Sequence, residues 1–196
     1  MGRRERKVEK RKQILMASIL VFLMVASGFG VIVGSRTSEM KYGKYKFQII
    51  NNKYVTEING NDMPFYFLPS QVDYINLSST ITNKLKEAFL IMLTFNPDDK
   101  NNIQFIEVTR FDLSTYFGKV VYNGVFFESD EYELPVLTCA NATIKTPVII
   151  FNTTEIINTP SIVEENNCIY LNARGTDFLR LRDRMLYSYH GVIQDE

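Results

Sequence analysis

The chain has 196 residues, of which 45% are hydrophobic, 22% charged and 13% aromatic, with no tryptophan. That composition belongs to a globular chain and excludes a disordered or collagen-like one. The net charge of zero hides a basic start and an acidic remainder, and an acidic domain has no electrostatic footprint for nucleic acid.

The basic start comes first. Residues 1–12 carry seven cations and two anions, whereas residues 35–196 carry 15 cations and 20 anions, a balance of −5. Residues 1–13 therefore read as a cytoplasmic basic segment. Ile14 to Gly34 follows without a charge, Asn, Gln or Pro. As a helix it would span roughly 31 Å, matching a hydrocarbon core of about 30 Å. The sequence thus predicts a transmembrane signal-anchor over 14–34, in contact with the lipid bilayer, with its N-terminus cytoplasmic. A cleaved signal peptide with a cut after Ser27 is the rival reading, and it exports the same domain.

Residues 35–43 read as a polar tether, and residues 44–196 as one extracytoplasmic domain. Its first part looks like a three-stranded meander: YKFQII, KYVTEI and MPFYFL, separated by Asn51-Asn52 and by Asn59-Gly60-Asn61-Asp62. A middle amphipathic helix follows a Ser78 or Ser79 cap. Ile81, Leu85, Ala88, Phe89 and Met92 form its apolar face, and Asn96-Pro97 ends it. Ile103–Thr109 alternates and reads as a strand, with a short helical turn from Asp112 to Phe117. Strands are expected at Lys119–Phe127, Leu134–Thr138, Pro147–Phe151 and Cys168–Leu171, and a C-terminal helix at Thr176–Tyr189. The class is α+β, with mixed α/β as the alternative.

Cys139 and Cys168 are the two cysteines. In an exported domain their simplest state is a disulfide, with a pair of reduced, buried thiols as the alternative. Arg174, Arg180, Arg182 and Arg184 concentrate positive charge in an acidic domain. They read either as an anion or partner site or as a solvated face with local ion pairs to Asp177 and Asp183. Asn76, Asn141 and Asn152 each open an N-x-S/T sequon and are possible glycosylation sites. His190 is the single histidine and reads as a helix-end residue, since one histidine cannot build a multi-His metal site. Asp98 and Asp99 do not match a calcium loop and read as loop solubility. No cofactor motif, phosphate-binding loop or nucleophile elbow occurs.

Three functions are compatible with these residues. The leading one is a membrane-anchored interaction or structural domain, part of an envelope or membrane assembly with other membrane or envelope proteins. The second is an extracytoplasmic small-ligand-binding or sensor domain, with a pocket lined by aromatics and an arginine. The third is an enzyme with an unrecognised carboxylate-based site.

Overall fold

The structure is a computed structural model that describes residues 15–25, 40–154 and 159–195. It divides into two units, with the boundary between residues 38 and 39. In the first unit a helix, α1, covers residues 15–25. The eleven described residues rise about 16 Å, roughly half of a hydrocarbon core. This corrects the transmembrane helix expected over 14–34: among the described residues no helix is long and apolar enough to cross a membrane. The rest of that expected span, the basic segment and most of the tether lie outside the described residues.

Among its described residues the second unit holds three α-helices and two sheets. The first sheet is an antiparallel meander of β1 (Met40–Tyr42), β2 (Tyr45–Ile50), β3 (Lys53–Ile58) and β4 (Asn61–Phe65). It gains a strand, β1, from within the expected tether. Its turns explain part of the asparagine content. Asn51, Asn52 and Asn59 have φ of 51°, 59° and 53°, followed by Gly60 at 81°. Asn and Gly take this left-handed region at the least steric cost, and such turns match strand twist in tight hairpins. Pro64 sits on β4, an edge strand, where its missing N–H does least harm.

Helix α2 (Ser79–Glu87) is capped by Ser78, whose side chain accepts from the Thr80 amide. It ends five residues before the expected Met92, because Leu90–Phe95 forms strand β5. The apolar run there fits a helix face, but it also fits a strand covered on both sides, and the neighbouring strands decided the matter. The next reading is reversed as well. Ile103–Thr109 is no strand: α3 runs from Ile103 to Tyr116. Ile106, Arg110, Leu113 and Phe117 are buried and follow helical spacing. The connection from β5 to a parallel neighbour needs such a crossover.

Strands β6 (Val120–Val125), β7 (Val148–Thr153), β8 (Ser161–Glu165) and β9 (Cys168–Ala173) complete the second sheet, in the order β6-β5-β7-β9-β8. All pairs are parallel except β8 with β9. Leu134–Thr138 makes only an isolated bridge, Val136 to Val125. One sheet face carries Ile91, Leu93, Phe95, Ile149, Phe151 and Leu171, which share one core with Ile106 and Leu113 of α3 and with Phe178, Leu181 and Met185 of α4 (Asp177–Tyr189). The other face carries Val148, Ile150 and Cys168, packed by Met92, Tyr170, Cys139 and Ala142. Cys139 belongs to a single 3-10 turn, Cys139–Asn141, and among the described residues no α-helix contributes to that second cluster. The segment between β6 and β7 covers it, joined to β9 by a disulfide between Cys139 and Cys168.

Helix α4 holds the meander to the second sheet. Tyr187 stacks on Phe65 with centroids 4.0 Å apart, and its hydroxyl donates to the Phe67 carbonyl at 2.7 Å. Asp183 accepts from the amides of Tyr66 and Phe67 at 2.8 and 2.7 Å.

Candidate site at the carboxyl ends of strands β5 and β7

From β5 the chain passes through α3 to β6 on one side, while β7 pairs with β5 on the other. The connections therefore leave in opposite directions beyond the carboxyl ends of β5 and β7. In open α/β sheets this reversal leaves a crevice, and ligands bind there.

The residues at this edge are polar. Asn96 and Asp99 lie in the loop after β5, Asn102 is the N-cap of α3, Asn152 and Thr153 end β7, and Thr154 follows it. Asp99 is the hub. It accepts from Asn102 Nδ2 at 2.8 and 3.1 Å and from the Thr153 hydroxyl. Its backbone carbonyl accepts the Ile103 amide at 3.0 Å, starting α3. Asn102, 4% exposed, uses its Oδ1 to accept the Gly175 amide at 2.7 Å. One loop thus fixes the ends of β7 and β9 relative to α3. On the second sheet face a row of side chains runs across three strands: Asn152 Nδ2 donates to Asn172 Oδ1 at 2.6 Å, and Asn172 Nδ2 donates to Ser161 Oγ at 3.2 Å.

The Asp99–Thr153 contact borders two openings. One is a cleft of about 400 Å³ lined by Asn96, Phe126, Ile150, Asn152 and Tyr170, besides Asp99 and Thr153. The other, about 430 Å³, is lined by Asn101, Asn102, Thr154 and Arg174, besides the same two residues. Thr154 Oγ1 is buried and has no partner among the described residues. Among the described residues no group of three or more His, Cys, Asp or Glu is placed to hold a metal ion.

The four arginines singled out from the sequence do not converge. Arg174 is exposed and borders the second opening. Arg180 pairs with Asp177 at 3.3 Å and lies over the Phe67 ring. Arg182 is fully buried, donating to Asp183 at 2.6 Å and to the Pro64 carbonyl at 2.8 Å, with Asp112 at 3.2 Å. Arg184 donates to the Ile75 carbonyl at 2.7 Å and pairs with Asp195 at 2.9 Å. The last two guanidiniums are engaged inside the fold. Helical spacing placed these residues on α4, but it carried no information that the meander and the chain end would cover them.

No family model matches the chain, and neither a curated protein nor a solved structure matches it.

The other sequence candidates scatter. Asn76 and Asn141 are exposed, while Asn152 is half-buried with its amide bound to Asn172. His190 is half-buried, with Nε2 at 3.0 Å from the Tyr116 carbonyl, and burial lowers its pKa. Sequence reasoning read Asp99 as loop solubility and Asn96 as a helix stop, and passed over Asn102 and Thr153. The available signal was the apolar run Leu90–Phe95 followed at once by Asn96-Pro97-Asp98-Asp99. Read as a buried strand, it places those polar residues at a carboxyl end.

Proposed function

We propose that the domain binds a small polar ligand in the cleft at the carboxyl ends of β5 and β7. The single observation that carries this reading is the reversal of strand connections at that point, with polar side chains and aromatic walls gathered beside it. The Cys139–Cys168 disulfide supports action in an oxidising, extracytoplasmic compartment.

A thermal-shift screen of small polar molecules tests the reading. A ligand of the native state raises the midpoint by mass action. A bulky residue at the exposed rim position Asn96, as in Asn96→Trp, should abolish that rise, while loss of the exposed Asn96–Asp98 hydrogen bond lowers the ligand-free midpoint by no more than a few degrees. If no compound stabilises the wild type, or if both proteins respond alike, the cleft is not the binding site.

A second reading, an interaction module of an envelope or membrane assembly, draws on a different observation. Val120 and Tyr122 on edge strand β6 are 65% and 57% exposed and face away from the helices. Exposed apolar surface on an edge strand suits a protein partner. Loss of co-purifying proteins in Tyr122→Asp would support it, and unchanged co-purification would count against it.

A further inference from the structure

We infer that the ligand of this cleft is a neutral, hydroxyl-rich molecule of the carbohydrate class, an inference that rests on the binding reading above. The argument begins with charge. Among the described residues, Asp99 is the charged side chain lining the 400 Å³ cleft, and no Lys or Arg lines it. A phosphate or carboxylate ligand would meet a carboxylate there with no cation to offset it. A lone cation fares little better. Both Asp99 oxygens already accept hydrogen bonds, from Asn102 and Thr153, and among the described residues no second carboxylate lines the cleft.

The free hydrogen-bonding groups are mixed. Asn96 uses Oδ1 to accept the Asp98 amide at 2.8 Å, which leaves its Nδ2 hydrogens to donate. Asn152 donates through Nδ2 to Asn172, which leaves its Oδ1 to accept. Thr153 donates its one hydroxyl hydrogen to Asp99, so toward the cleft its oxygen can only accept. Asp99 keeps further lone pairs. A hydroxyl donates and accepts at once, so a molecule bearing several neighbouring hydroxyls satisfies such an alternating rim. A ligand made only of acceptors leaves Asn152, Thr153 and Asp99 without donors.

The walls complete the match. Phe126 is 45% exposed and Tyr170 half-buried, and both aromatic side chains line the cleft together with the amides. The negative face of an aromatic ring suits the C–H face of a pyranose, whose hydroxyls then point to the polar rim. The cleft lies near the low end of the roughly 300–1,000 Å³ range for small-molecule sites. That suits one or two sugar units.

The test uses the full chain in a detergent without a sugar headgroup, read by saturation-transfer NMR and titration calorimetry. The probes are glucose, N-acetylglucosamine, maltose and cellobiose, with inorganic phosphate and glutamate as contrasts. We expect at least one sugar to bind, and both Asn152→Ala and Phe126→Ala to weaken it at least about tenfold, the loss expected for a truncated ligand contact. Both variants should keep the unfolding midpoint within a few degrees. Binding of phosphate or glutamate that these variants weaken, with no sugar bound, overturns the carbohydrate class and leaves the cleft reading standing. Sugar binding that neither variant weakens overturns the inference by locating the sugar elsewhere. Binding of no probe at the cleft overturns both.

Discussion

Thr153, the last residue of β7, donates its hydroxyl hydrogen to Asp99 in the loop that follows β5. This bond crosses the point where the strand connections part. It holds together two segments 54 positions apart in sequence, with the cleft on one side and the Arg174 opening on the other. Replacing Thr153 with Val keeps the shape and removes the donor. We expect a loss of about 1.5–3 kcal/mol, as for a hydrogen bond to a charged acceptor, read from urea unfolding. An unchanged midpoint would show that Asn102 alone holds Asp99.

Arg182 should be among the least replaceable residues. Its guanidinium is fully buried between Asp183, the Pro64 carbonyl and Asp112. Arg182→Met leaves Asp183 buried without its cation, which costs about 3–5 kcal/mol. Arg174→Met, at an exposed position, should change stability by less than about 0.5 kcal/mol. Comparable losses in the two variants would contradict the buried network.

The disulfide closes a separation of 29 residues and fastens the β6–β7 segment across the second sheet face. Removing it in a Cys139→Ala, Cys168→Ala double variant should lower stability by about 3.5 kcal/mol in the chain-entropy account. The apolar face beneath should become accessible, seen as faster hydrogen exchange at Val148 and Ile150. Two thiols that label freely in native, unreduced protein would end this prediction.

Gly124 is required by a close approach. A Cβ there would lie 2.5 Å from Leu137 Cγ and 2.6 Å from the Pro135 carbonyl oxygen. The side chain could shift, but the carbonyl is held: Pro135 accepts the Val125 amide at 3.0 Å. Gly124→Ala should therefore cost about 1–3 kcal/mol through overpacking, measured by thermal unfolding. A neutral result would mean that the β6–β7 segment yields.

Two groups, the buried Asp183 and the half-buried His190, give opposite pH dependences. Burial outweighs Arg182 and two backbone amides at Asp183 and pushes its pKa up from 3.8 to about 6. The native state then holds this proton more tightly than the unfolded chain. The stability it contributes is complete below about pH 4 and is lost as pH rises through about 6. His190 is shifted the other way, since burial lowers its pKa below 6.5. The unfolded state binds that proton more readily, so the His190 contribution falls as pH drops through 6.5. Asp183→Asn should remove the first slope between pH 4 and 6, and His190→Gln the second. Identical pH profiles for either variant and the wild type would refute the corresponding shift.

Some of this was legible along the chain because it depends on neighbours in sequence. Alternating strands flanked by Asn-Asn and Asn-Gly specify hairpins locally, so the meander could be read. The stretch Thr176–Tyr189 has one helical period and a glycine stop, and α4 lies there. The cysteine pair could be proposed from count and context. The rest depended on partners distant in sequence. Leu90–Phe95 fits a helix face and a buried strand equally, and β6 and β7 on its two sides made it a strand. Ile103–Thr109 fits alternation and helical spacing alike, and the crossover between parallel strands made it a helix. The arginines of α4 were legible as a charged run, but the meander and the chain end turned two of them inward. Asp99 and Thr153 became a site only when two strand ends came together, because a crevice is a property of strand order and no local pattern encodes that order.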